Sequence, residues 1–193
     1  MKRITRIILG IVIISTLAAS VIMVASKQSS FAASSDVQNF MNMTEEQRVQ
    51  VAKNMTQEEK QVVMNEFSKQ NSTVNENMSA SMTNNTSPLM GNFAGAGDGF
   101  HNVEGVAKVL TLSDGKTFLR LENLKATNGP DLYVYLSTGK DTSDIVNLGR
   151  LKGNIGNQNY EIPTGTDLSK YNSVLIWCKA FSTLFGSAKL SNQ

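Results

Sequence analysis

The C-terminal half of this chain is predicted to be all-β, an antiparallel β-sandwich or small barrel. An N-terminal transmembrane or signal helix and a short helical, partly disordered stalk are predicted to precede it. Three observations carry this. Thirteen of the fourteen glycines lie beyond residue 90. From there on, short runs with period-two alternation are separated by turn signals, the mark of strands. Seven such runs fit between residues 91 and 193 with no long helical stretch between them, which argues for a sandwich or barrel and against α/β winding.

The chain divides at 1–32, 33–69, 70–90 and 91–193. In the first part Lys2, Arg3 and Arg6 precede an uncharged run from 7 to 26 whose apolar core, 7–24, is interrupted only by Ser15, Thr16 and Ser20. A secretory signal has an apolar core of about 7–15 residues, and a membrane span needs roughly 20. This core falls between the two. Ser30-Phe31-Ala32 before Ala33 offers a small-residue cleavage site. Cations ahead of the core favour a cytoplasmic N-terminus. The expectation is a cell-membrane protein, single-pass with its C-terminal domain outside, or a secreted one if the signal is cleaved.

In the second part a 12-residue repeat places Thr44 before Gln47 and Thr56 before Glu59. Both pairs have capping-box spacing, so two helices are predicted, over 45–53 and 57–69. They read as a helical hairpin spacing the domain from the membrane. Residues 70–90 have almost no aliphatic content and read as a flexible linker. Asn42, Asn54, Asn71, Asn77, Asn84 and Asn85 stand in Asn-x-Ser/Thr triplets, so glycan attachment is an expectation on an exposed chain.

In the last part strands are predicted over 106–112, 117–122, 132–136, 147–151, 159–162, 174–180 and 184–190. The run at 174–180 is the most apolar. Period two sends Leu175, Trp177 and Lys179 to one face and Val174, Ile176, Cys178 and Ala180 to the other. If Lys179 meets water, Cys178 points inward, where a free cysteine behaves as a small hydrophobe.

Composition excludes several functions. Residues 1–35 have four basic residues and no acid, residues 36–90 four basic and seven acidic, and residues 91–193 ten basic and nine acidic. No folded part has a basic excess, so no nucleic acid is expected. Cys178 is the one cysteine and His101 the one histidine. That rules out an intramolecular disulfide, a Cys-x-x-Cys pair, a c-type haem attachment motif and a Cys/His zinc cage, so no metal site is expected. A blue-copper site would need two histidines. Gly95-Ala96-Gly97-Asp98-Gly99 lacks the Gly-Lys-Ser/Thr ending of a phosphate loop. No nucleophile–base–acid order or paired carboxylate motif is evident, so turnover of a small substrate is not expected.

The run Asn128-Gly129-Pro130-Asp131-Leu132-Tyr133-Val134-Tyr135-Leu136 resembles the signature of the DM-thirteen domain family. Leu148-Gly149-Arg150-Leu151-Lys152-Gly153, Gly156 to Pro163, and Tyr171 to Phe181 around Cys178 are similar to that family's later motifs, in its order. The opening from Gly91-Asn92-Phe93 to His101 and Gly105 is similar to its first. The resemblance covers 91–193. It implies a domain proposed to act in electron transfer outside the cell. The family's characteristic cysteine is suggested to act as a bare thiol or as a ligand to a group such as haem. Cys178 stands at that position. The cofactor is otherwise unknown; with haem, His101 would be the candidate second ligand. A separate redox protein is then the expected partner. Against this, a thiol inside an apolar face is held protonated, and the alternative is a binding or structural module with Cys178 buried and inert. Asp131 reads as a turn residue bonding backbone N–H groups. Lys125, Arg150 and Lys152 read as a solvated face.

Overall fold

The computed structural model describes residues 34–78 and 89–192. The anchor or signal expected at 1–32 lies outside them, as do Asn84 and Asn85. Among the described residues, no helix is long and apolar enough to cross a membrane.

Three helices come first: α1 (Ser34–Asn42), α2 (Glu45–Asn54) and α3 (Gln57–Ser68). Both capping boxes form. Thr44 accepts the Gln47 N–H, and the Gln47 side chain accepts the Thr44 N–H. Thr56 and Glu59 repeat the arrangement. Each box meets orphan donors of a helix start, so the chain can end one helix and begin the next within two residues. The first helix was not anticipated, because its apolar positions, Val37, Phe40 and Met41, are too few to set a clear period.

The strands are β1 (Thr73–Asn75), β2 (Met90–Gly95), β3 (Val103–Thr111), β4 (Thr117–Ala126), β5 (Leu132–Ser137), β6 (Ile145–Arg150), β7 (Ile155–Ile162), β8 (Ser173–Cys178) and β9 (Thr183–Lys189). They form one sheet in the order β1-β7-β4-β3-β2-β9-β8-β5-β6. The sheet is curled into a half-barrel. The corner is made by β2, whose first half, from Met90 to Asn92, pairs with β3, while its second, from Phe93 to Gly95, pairs with β9. Gly91 sits at the corner because a Cβ there would lie 2.1 Å from the Lys189 carbonyl oxygen.

Two expectations need correction. The sheet is mixed rather than purely antiparallel, since β1 runs parallel to β7. That strand comes from the stretch read as a flexible linker. Its hold is backbone pairing plus Glu76, whose carboxylate takes Lys152 Nζ at 2.7 Å and the Asn159 N–H at 2.8 Å. Apolar content could not reveal a strand held this way. Gly156 admits it: the residue has φ of +110°, and a Cβ would lie 2.1 Å from the Val74 carbonyl oxygen.

The helices do not stand clear of the sheet. Val37, Phe40, Ala52, Val63 and Met64 share one core with Val103, Leu119, Leu121, Val134, Leu136, Val174 and Ile176. On the other face of β5 and β8, Tyr133, Tyr135 and Leu175 form a second, smaller cluster with Trp177 against it. The alternation expected for the cysteine strand therefore holds, although β8 stops at Cys178.

Candidate functional site

Cys178 ends β8 on the core face, opposite Leu132 of β5 and Thr183 of β9. It has no exposed surface. Burial pushes its thiol up to about 11, even though the backbone N–H groups of Phe181, Asp131 and Ala180 face the sulfur and work in the other direction. At neutral pH the group is a thiol, whereas the thiolate is the nucleophile and metal ligand.

The chain turns directly after it. Lys179 donates its N–H to the Asp131 carbonyl at 2.9 Å and sends its side chain outward to Glu45 of α2. Phe181 folds back, and its ring stacks on Phe40 of α1 with centroids 5.8 Å apart.

Asp131, just ahead of β5, is buried completely. Its carboxylate is gripped by Arg48 of α2, with Nε 2.8 Å from one oxygen and Nη2 2.7 Å from the other. Arg150, at the end of β6, adds Nη2 at 3.0 Å. The same Arg48 donates from Nη1 to the carbonyls of Met43 at 2.6 Å and Met41 at 3.2 Å, tying down the joint between α1 and α2. The expectation that Asp131 serves only its own turn is thereby corrected: it is the anchor for a helix 83 residues away in sequence.

Glu45 is the second anchor. Its carboxylate accepts from Lys179, from the Tyr133 hydroxyl and, at 3.2 Å, from Arg150 Nη1. Burial pushes this carboxyl up, but Lys179, Tyr133 and Arg150 outweigh that and hold it below its ordinary value. Arg150 and Lys179 both also lie over the Tyr133 ring, at 5.6 Å and 5.3 Å. Arg150 and Lys152 are thus pairing groups rather than parts of a merely solvated face.

His101 is in a different setting. Its Nδ1 lies 2.5 Å from Asp98 Oδ2, and its ring sits between Phe100 and Phe185, at centroid distances of 5.1 Å and 4.3 Å. Asp98 also accepts the N–H groups of Phe100 and His101. Burial alone would raise the Asp98 carboxyl, yet these bonds hold it down at about 2. The turn once compared with a phosphate loop is therefore organised by its own aspartate.

The residues do not fit a haem in this arrangement. An iron needs an open side of the sulfur, and Cys178 has none. One ring nitrogen of His101 is already taken up by Asp98. Among the described residues, no group of three or more His, Cys, Asp or Glu side chains could hold a metal ion.

Sequence reasoning did not find Phe40, Glu45 or Arg48. One signal was present: Asp131 adjoins five apolar residues, where a carboxylate requires a cation. Which cation answers it is a long-range fact.

Fold and site together define a half-barrel β domain with a cysteine strand at its core and helices across the end of that strand. Residues 95–190 match the family model described as electron transfer DM13. The match takes in the β domain from the end of β2 to β9, and α1 to α3 lie outside the matched residues. No curated protein and no solved structure matches the chain.

Proposed function

We propose that this chain is an extracytoplasmic electron-transfer module, held at a membrane by residues 1–32, with the Cys178 thiol as its redox group. The observation that supports it is the setting of the family's characteristic cysteine. Three backbone N–H groups face its sulfur, ready to stabilise a thiolate once water reaches it. In the closed fold the thiol is kept protonated and out of reach.

With no second cysteine in the chain, the reaction open to this thiol is exchange with a partner's disulfide. The thiol loses its proton to solvent, and the thiolate attacks one sulfur of that disulfide. A mixed disulfide forms while the other sulfur leaves as a thiolate. The partner is therefore a disulfide-bearing redox protein outside the cytoplasm. Asn42, Asn54, Asn71 and Asn77 are exposed, so glycan attachment at them belongs to the same proposal.

A second reading is favoured by the complete burial of Cys178 and its raised pKa: a binding or structural module in which the cysteine only fills the core. Exposure of the full-length folded protein to oxidised glutathione, followed by intact-mass measurement, separates the two. The thiol reading expects a mixed disulfide on folded protein, reversed by dithiothreitol. A Cys178 that stays free at an oxidising poise until the protein unfolds leaves the structural module. The membrane part is checked by fractionation: the chain should need detergent to leave the membrane, and release by high salt alone would refute a spanning anchor.

A further inference from the structure

We infer that α1 and α2 form a lid over Cys178, and that access to the thiol is set by undocking of these helices while the sheet stays folded. This deepens the thiol reading and rests on it for its purpose, but the lid is tested by access to the sulfur, whatever chemistry follows.

Three residues around the cysteine end of β8 are each held by a different helical side chain. Phe181, whose N–H faces the sulfur, is covered by Phe40 of α1. Lys179, next to Cys178 in the chain, is held by Glu45 at the start of α2. Asp131, which faces the sulfur through its N–H and accepts the Lys179 N–H, is gripped by Arg48. These contacts fall on both sides of the point where β8 ends and β5 begins. The helices therefore close the end of the half-barrel at the cysteine.

The lid differs from the sheet in what holds it. The β strands are locked by backbone ladders on both sides of β8, the one to β9 interrupted by a bulge between Ile176 and Trp177. Among the described residues the helices share no backbone hydrogen bond with the strands and are joined to them by side chains: apolar residues in the common core, the Phe40–Phe181 pair, and two ionic clusters, one of them around a partly exposed glutamate. A layer without shared backbone bonds can leave as a unit, which is how local opening at lower free energy than global unfolding arises. The turn at 179–182 would then lose Phe40 and Glu45, and Asp131, which accepts the Lys179 N–H, would lose Arg48, so the turn is free to move away from Cys178. Ser182, with φ of +50°, sits in that turn in a conformation few non-glycine residues adopt.

The test is the alkylation rate of Cys178 by iodoacetamide in the folded full-length protein. It is measured for the native chain and for Phe40→Ala, Glu45→Gln and, as a control, Lys69→Gln, whose ion pair with Glu66 lies on α3. Urea unfolding followed by Trp177 fluorescence, a reporter on β8, runs in parallel. Phe40→Ala should raise the rate roughly a hundredfold and Glu45→Gln several-fold. The unfolding midpoint of the sheet should move far less than those factors demand, and Lys69→Gln should change neither. Phe40 is a core residue, so Glu45→Gln keeps the test valid should that variant fail to fold. The lid is overturned if labelling rises only in step with global unfolding, or if neither variant alters it. A lid that opens onto a thiol inert to glutathione disulfide would leave the lid standing and remove the redox role.

Discussion

Replacing Arg48 by methionine should destabilise the protein by about 3 kcal/mol, the low end of what removing one member of a buried ion pair costs. The magnitude follows from the geometry. Methionine keeps the apolar stem of the side chain but loses both bonds to Asp131 and both to the carbonyls of Met41 and Met43. Asp131 stays fully buried, yet Arg150 remains 3.0 Å from one of its oxygens. One cation in place of two therefore limits the loss. With a urea slope of about 2 kcal/mol per molar for a domain of this size, the midpoint should fall by about 1.5 M. Trp177 fluorescence and far-ultraviolet circular dichroism would follow it. Arg48→Met combined with Asp131→Leu should recover much of the loss, because no charge is then left buried without its partner. A single variant that shifts the midpoint by less than about 0.3 M would show that Arg150 alone satisfies Asp131. The view of Arg48 as the anchor of the helical layer would then be wrong.

Three further outcomes are expected. Gly156→Ala should strip β1 from the sheet edge, since φ is +110° and the new Cβ would meet the Val74 carbonyl oxygen; amide exchange at residues 73–76 should speed up while that of β3 and β4 does not, and unchanged exchange at 73–76 would contradict it. Asp98 has its carboxyl held at about 2, below the ordinary 3.8. Its stabilising contribution is therefore present above about pH 4 and lost as pH falls through 2, so the gap in urea midpoint between the native chain and Asp98→Asn should be open at pH 5 and narrowed at pH 2. Cys178 titrates at about 11 in the fold against 9 in an open chain. Its contribution is complete below pH 9 and lost as pH rises through 11, so the native chain should lose stability over that interval faster than Cys178→Ala, and parallel curves would refute the burial argument.

Local chemistry settled much of this protein before any tertiary structure. Thr44 with Gln47 and Thr56 with Glu59 place both helix starts, because a capping box is satisfied within four residues. The alternation through 174–180 places Cys178 on the core face and Trp177 on the other, because a pleated strand has no third choice. The motifs around Asp131 and Cys178 carry the resemblance that the family match over residues 95–190 bears out. What sequence could not decide were relations between distant residues. The Gly-rich β2 had too little apolar pattern to show, and β1 is defined by the edge it adds to. The parallel pairing, the corner at Gly91 and the burial of Asp131 under Arg48 depend on which segments meet after the chain closes loops of tens of residues. No spacing rule encodes that. The same holds for the thiol: its inward direction follows from a period of two, but its complete burial belongs to a core that also takes in Val37 and Phe40 from more than a hundred residues away, and only packing brings them there.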